Sequence, residues 1–430
     1  MRTIRVGIAG FGTVGQATAR ILASHQAEIA ARCGAVLCVT AICRRSPIAA
    51  PAFGVTVHSD WRALVTNPEV DIVLETIGGV TEARAVVETA LESGKPVVTA
   101  NKNLLAAEGE ALMKIADRRN VPLGFEAAVA GGVPVIRAIA EGTAADRLRS
   151  VHGILNGTAN YILTRMEAGG VEFAEALSEA QRLGYAEADP SFDVEGIDAR
   201  DKLAILARLA FGGKVDAGAI ATMGIRELTA VDMVYAAKLD ATIRLVGAAE
   251  KHANGVALTV RPWLVPRRDL LAKVEGVNNA VILAGERAGV QMFYGPGAGG
   301  DPTAIAVLSD LMEIAGDMVT GRLAAKPASG FRETNDLPLC HQPPPVRWYL
   351  RLVIDDAPGV LARVAGILGR HEINIDFVLQ EPNLNKRRLP FVITVEPVSE
   401  PLLLRALVEL DRDPALQAPV LPLRMAAASG

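Results

Sequence analysis

The 430-residue chain has few aromatic side chains, few cysteines, almost no excess of one charge and no long apolar run. Aromatics make up only 4% of it, too few for the base-stacking platforms that bind single-stranded nucleic acids. Lys+Arg 44 against Asp+Glu 48 leaves a net charge of −4, without the basic excess of a nucleic-acid or anionic-membrane binder. No apolar stretch reaches the ~18–20 residues that span a bilayer. The opening MRTIRVGIAGFGTVG has the outline of a signal peptide. Its glycines sit at turn positions and no small-residue cleavage site follows, so it reads as folded structure. Four cysteines are too few for a disulfide framework in a chain this long. Cys38 and Cys43 fall an odd number of positions apart on an expected strand, hence on opposite faces, and do not share a metal. Buried thiols in a reducing cytoplasm are the expected state. The six histidines show no metal-ligand spacing.

Half of the residues are hydrophobic, and the length predicts two to four domains at about 100–200 residues each. Apolar strands are expected at 3–9, 36–43, 71–76, 97–99 and 122–125, alternating with amphipathic stretches at 16–31, 81–93 and 104–119. Such alternation implies right-handed crossovers and a parallel sheet covered on both faces. The region 131–320 reads as richer in helix, at 173–183, 197–210 and 304–315, with strand-like pieces at 256–260 and 280–283. Five of the 24 prolines fall between Arg322 and Val346, which marks a linker, because proline continues neither a helix nor a central strand. Beyond it the pattern is strand 348–354, helix 360–370, strands 373–380 and 390–396, helix 401–410, strand 420–424. That order is ferredoxin-like βαββαβ. The expected α/β organisation is a Rossmann-like dinucleotide-binding domain (1–130), an α+β substrate and dimerisation domain (131–320), a linker (321–345) and the ferredoxin-like domain (346–430).

Gly10-Phe11-Gly12-Thr13-Val14-Gly15 follows a buried strand and opens a helix. In that setting G-x-G-x-x-G points to a dinucleotide. Gly10 permits the tight turn, Gly12 lets backbone amides approach a pyrophosphate, and Gly15 lets the helix pack closely. The second strand then runs into Arg44-Arg45 with no acidic residue for a ribose 2′-hydroxyl. Two guanidiniums suit a 2′-phosphate, so NADP is expected. Two solvated surface arginines would look the same, and NAD stays open.

Thr99-Ala100-Asn101-Lys102 falls at the carboxyl end of a parallel strand, where such sheets place their ligand crevice. A lysine at a helix start is disfavoured by the dipole, yet by position alone a functional and a structural Lys102 stay equally open. Between 187 and 201 stand six carboxylates: Glu187, Asp189, Asp193, Glu195, Asp198 and Asp201. Asp198 and Lys202 form an i,i+4 pair on one helical face. Locally, this pattern does not separate an amine-binding acidic pocket from a solvated face.

Resemblance narrows the choice. GFGTVG, TANK, FEAAVAGGVPVI (125–136), HGILNGTANYILTRM (152–166), LGYAEADPSFDVEGIDARDKLAIL (183–206) and YGPGAGGDPTA (294–304) stand in the order and spacing of the homoserine dehydrogenases. The chain resembles that family over nearly all of residues 1–320. The tail, with DAPGVL (356–361) and EINI (372–375), resembles the ACT regulatory domain appended to bacterial members. The resemblance implies NAD(P)-linked interconversion of L-homoserine and L-aspartate 4-semialdehyde, in threonine and methionine biosynthesis in the cytoplasm. It implies that Lys202 handles the proton and that Lys102 approaches the nicotinamide. Glu187, Asp193 and Asp198 would hold the substrate, largely by its ammonium, while Gly184 and Gly300 lie beside the cofactor. Glu126, Val129, Gly131 and Val133 match a site for a monovalent cation, Na+ or K+, made mostly of carbonyls with one carboxylate. L-Threonine is the implied effector, at a site including Gly359 and Asn374, and a homodimer or homotetramer is expected. Two other readings are a related amino-acid dehydrogenase and a non-catalytic sensor. The retained Lys102 and Lys202 argue against the sensor.

Overall fold

The structure is a computed structural model that describes residues 1–44, 54–324, 335–381 and 385–426. Arg45 and residues 325–334 of the expected linker lie outside the described residues. The N-terminal part runs β1 (Arg2–Ala9), α1 (Thr13–Ser24), α2 (Gln26–Cys33), β2 (Ala35–Cys43), β3 (Thr56–His58), α3 (Trp61–Val65), β4 (Ile72–Glu75), α4 (Thr81–Glu92), β5 (Val97–Thr99), α5 (Lys102–Arg119) and β6 (Leu123–Gly124). Its six strands are all parallel, in the order β3-β2-β1-β4-β5-β6. Ile4, Val6, Ile8, Ile72, Leu74 and Val98 are fully buried, as strands covered on both faces must be. The order reverses direction at β1, which opens a crevice between the carboxyl ends of β1 and β4.

One expectation fails here. The stretch 16–31 is not one helix but two, broken at His25 (φ −116°, ψ 24°). Ser24 Oγ donates to the Ile21 carbonyl at 3.1 Å and His25 Nδ1 stands 3.3 Å from the same oxygen. The His25 amide still bonds that oxygen at 2.9 Å, and α2 begins with the Ile29 amide on the His25 oxygen at 3.0 Å.

The middle runs α6 (Val135–Arg137), β7 (Leu148–Ile154), α7 (Gly157–Gly169), α8 (Phe173–Arg182), α9 (Ser191–Val194), α10 (Ile197–Phe211), β8 (Ala221–Thr222), α11 (Ala230–Lys238), β9 (Ala241–His252), β10 (Gly255–Pro266), β11 (Asn278–Gly285), β12 (Val290–Pro296) and α12 (Gly300–Thr320). It holds more strand than its sequence pattern predicts. β9 and β10 pair antiparallel over their whole 12-residue lengths, although no strand is expected at 241–252. The first nine residues of β9 are all buried, the polar Thr242 and Arg244 among them.

The C-terminal part is β13 (Val346–Ile354), α13 (Val360–Arg370), β14 (Ile375–Gln380), β15 (Leu389–Val398), α14 (Glu400–Leu410) and β16 (Leu421–Met425). The order β16-β13-β15-β14, all antiparallel, is the ferredoxin-like sheet. Trp348, Leu352, Leu368, Phe391 and Leu403 form its core. β16 also pairs in parallel with β10 (Trp263↔Arg424, Leu264↔Met425), so this sheet continues into the β9–β10 hairpin.

The chain forms two compact units, each assembled from three stretches: Met1–Val151, Arg200–Ala219 and Asn279–Pro338 in the first, and His152–Ala199, Ile220–Asn278 and Leu339–Gly430 in the second. Within the second unit, Glu250 of β9 accepts hydrogen bonds from Arg424 of β16 at 2.8 and 3.0 Å and lies 3.1 Å from His152 Nε2. Burial pushes the Glu250 carboxyl up, but the bonds from His152 and Arg424 hold it down at about 2, against 4.5 when unfolded. Because the folded value is the lower one, this stabilisation is present above pH 4.5 and is lost as the pH falls towards 2. At neutral pH it is worth about 3 kcal/mol. Glu250→Gln is therefore expected to lower the denaturation midpoint at pH 7 and to converge with the wild type at the acid end. A gap of equal size at both ends would contradict the assignment.

Candidate active site

In the first unit, Gly10 follows β1 with φ +98°, and a Cβ there would lie 2.6 Å from the Thr76 carbonyl. A Cβ on Gly15 would meet the Gly10 oxygen at 2.5 Å, whereas Gly12 faces open space. Glycine is thus required where backbone meets backbone, and the middle glycine leaves room for a ligand. No side chain caps the start of α1, so its first amides remain for phosphate oxygens. The cleft there, of about 300 Å³, is lined by Gly10, Phe11, Gly12, Arg44 and Thr76 among others. Arg44 directly follows β2, on the side where a ribose 2′ group is expected. Ser59 and Trp61 line the same cleft, and the sequence pattern gave no sign of them.

Gly300, the first residue of α12, sits against the first turn of α1: its Cβ would lie 3.2 Å from Thr13 Cγ2. Thr13 and Val14 open α1 beside it. Lys102 is the first residue of α5, after Asn101, whose Oδ1 caps the helix by accepting from Leu104 N–H at 3.1 Å.

The turn 129–133 packs on the end of β12, with Gly132 N–H donating to the Pro296 oxygen at 3.2 Å. Ala130 (φ 57°) and Gly131 (φ 52°) are both left-handed, and a Cβ on Gly131 would strike the Gly297 oxygen at 2.5 Å. The Glu126 carboxylate accepts the Ile136 and Arg137 amides at the start of α6, one per oxygen, both at 2.9 Å. Burial nonetheless pushes this carboxyl up. Each of its oxygens retains acceptor capacity. With the Val129, Gly131 and Val133 carbonyls, the donor set is hard oxygen throughout, which fits Na+ or K+. Among the described residues, no group of three or more His, Cys, Asp or Glu side chains could hold a metal ion.

In the second unit the acidic residues part company. Asn156 Nδ2 donates to Asp193 Oδ1 at 2.6 Å and to Asp198 Oδ2 at 2.7 Å, while its Oδ1 caps α7 by accepting from Ala159 N–H at 2.7 Å. One amide therefore gathers two carboxylates from α9 and α10. Asp198 is only 2% exposed, so its charge is held in a low-dielectric setting. Glu187 is instead exposed on the loop after α8, where Gln181 holds its main-chain oxygen at 3.1 Å. Gly184 is exposed on the same loop with φ +77°. Asn156 escaped notice because an Asn before a helix reads as a cap and nothing more. α10 also belongs in part to the first unit, which holds its Lys202, 7% exposed. Gly359 precedes α13 with φ +89° and no side-chain cap, and Asn374 Nδ2 donates to Glu396 at 3.1 Å; both residues are exposed.

Comparison with known proteins identifies the family. Family models match three segments: the homoserine dehydrogenase NAD-binding domain at 10–126, homoserine dehydrogenase at 134–312, and the ACT domain at 348–412. A homoserine dehydrogenase of Pseudomonas aeruginosa is 41% identical over 434 residues, covering 99% of each chain. The crystal structure of a homoserine dehydrogenase from Thiobacillus denitrificans superposes with a TM-score of 0.92 at 38% identity, covering 99% of both. A hyperthermophilic archaeal homoserine dehydrogenase in complex with NADPH gives a TM-score of 0.61 at 29% identity, over 72% of this chain and 97% of that one. With relatives this similar over its full length, the chain belongs to the homoserine dehydrogenase family of nicotinamide-dependent oxidoreductases.

Proposed function

We propose that the enzyme reduces L-aspartate 4-semialdehyde to L-homoserine with NADPH, reversibly, in the branch that supplies threonine and methionine. The pairing of Asp193 and Asp198 on Asn156 carries this reading, because two gathered carboxyl groups suit the ammonium of an amino-acid substrate. Bound NADPH supplies the hydride. Lys202 delivers the proton to the developing alkoxide, Lys102 approaches the nicotinamide end, and Glu187 adds a third carboxylate from its loop. Gly184 and Gly300 border the cofactor beside Gly10–Gly15. Residues 1–130 bind the dinucleotide, 131–320 hold the substrate and pair the subunits into a homodimer or homotetramer, and 346–430 regulate, joined through 321–345. A monovalent cation bound by Glu126, Val129, Gly131 and Val133 braces the turn. Among the described residues no helix is long and apolar enough to cross a membrane. None of the four cysteines forms a disulfide, which suits a reducing cytoplasm. Purified protein should consume NADPH when the semialdehyde is added. Folded protein that turns over neither substrate with either nicotinamide cofactor would refute the proposal.

Arg44, with its neighbour Arg45, is assigned to the 2′-phosphate. Arg44→Ala combined with Arg45→Ala should weaken NADP by about tenfold or more while NAD changes little, since only NADP carries that phosphate. Equal losses for both cofactors, read by fluorescence titration, would remove the assignment.

We assign L-threonine to the C-terminal module, with the Gly359 amides taking its carboxylate and Asn374 nearby. Inhibition requires that threonine bind a less active state better than the active one. Deleting the module is a poor test, since β16 pairs with β10 and Arg424 neutralises Glu250. In the full-length enzyme, Asn374→Ala should raise the threonine concentration for half-inhibition by about fivefold or more, with kcat unchanged. An unaltered inhibition curve would count against this site.

A further inference from the structure

Glu75 ends β4 fully buried, at 0% exposure. Burying a carboxylate is costly unless donors surround it, and an apolar residue could end the strand without that cost. The donors Glu75 collects come from loops beside the cleft. Its Oε1 accepts the Ile77 amide at 2.7 Å and the Gly78 amide at 3.3 Å. Its Oε2 accepts the Thr99 hydroxyl at 2.5 Å. With its single proton committed to Glu75, Thr99 Oγ1 accepts the Asn101 amide at 3.0 Å. Asn101 then donates from Nδ2 to the Gly79 oxygen at 2.7 Å and caps α5, whose first residue is Lys102. Thr76 ties the same loop to the dinucleotide turn by donating to the Gly10 oxygen at 2.5 Å.

We propose that Glu75 is a positioning residue with two separable arms, one holding the cofactor-facing loop 76–79 and the other setting the turn that presents Lys102. The second arm rests on the role proposed for Lys102; the first rests only on nucleotide binding. Burial raises the Glu75 carboxyl, and the hydrogen bonds from Thr99, Ile77, Gly78 and Asn101 oppose that shift without cancelling it.

The test uses three variants of the full chain. Glu75→Gln puts an amide donor where Thr99 now donates, so it disturbs both arms. NADPH dissociation constants should rise about fivefold or more, because charge-assisted bonds to the loop are lost. kcat should fall about tenfold or more, since small displacements of a reacting group are expensive. Thr99→Val cuts only the second arm: kcat should fall about tenfold with KM for homoserine and NADPH affinity within about twofold. Thr99→Ser keeps the hydroxyl and should restore kcat. The proposal is overturned if Glu75→Gln retains wild-type NADPH affinity and kcat, or if Thr99→Ser is as impaired as Thr99→Val. Should Glu75→Gln fail to fold, the Thr99 pair decides. A wild-type enzyme without turnover would instead refute the reaction, and NADPH titration of Glu75→Gln would still decide the first arm.

Discussion

Lys202→Ala is expected to lower kcat by about 10²–10⁴-fold while NADPH affinity stays close to that of the wild type. Lys202 lies one turn after Asp198 on α10 and is 7% exposed, so water does not readily replace its ammonium. Hydride addition to an aldehyde leaves an oxyanion that needs a proton and a nearby positive charge, and a lysine supplies both. Lys202→Arg separates the two roles. A guanidinium keeps the charge but holds its proton too tightly to deliver it near neutral pH. The arginine variant should thus keep a near-normal KM with a kcat close to that of the alanine variant. If Lys202→Ala loses only substrate affinity and keeps kcat, the residue binds substrate and another group moves the proton.

The largest expected effect on stability comes from Asp232→Ala, at about 3–5 kcal/mol. Asp232 is fully buried near the start of α11, in a capping box with Thr229. Its Oδ1 accepts the Tyr349 hydroxyl at 2.9 Å, and its Oδ2 pairs with Arg351 and accepts the Thr229 amide at 2.9 Å. Arg351 and Tyr349 both belong to β13, so one carboxylate ties the ferredoxin-like sheet to α11. Burial and the adjacent Asp232 push the Tyr349 hydroxyl well above its usual range, so that it serves as a donor throughout. Removing the carboxylate takes the counter-charge from a buried guanidinium, which keeps only the Thr229 hydroxyl and the Glu227 oxygen, and leaves a buried hydroxyl without its acceptor. Asp232→Asn, which keeps an acceptor for Tyr349, should cost less. Urea denaturation of the full chain reads the difference, and a loss under about 1 kcal/mol for Asp232→Ala would show that water or another group compensates.

The sequence by itself determined the parts whose signal is local. Short apolar strands between amphipathic helices, the Gly10–Gly15 turn and the βαββαβ order of the tail each follow from period and turn chemistry within a few neighbouring residues. The long motifs likewise carried the family. The tertiary structure alone decided what depends on partners far apart in the chain. Asn156 joins carboxylates 37 and 42 positions away, and Glu75 reaches Thr99 across 24. Spacing between such residues carries no periodic signature, so the acidic segment gave no sign that Asp193 and Asp198 are gathered while Glu187 stays exposed. β9 is a related case: its polar Thr242 and Arg244 are buried because Glu167, 75 and 77 positions away, bonds to both. The continuation of the last sheet through β16 onto β10 was hidden too: edge pairing is chosen by which backbone donors and acceptors are left open after folding.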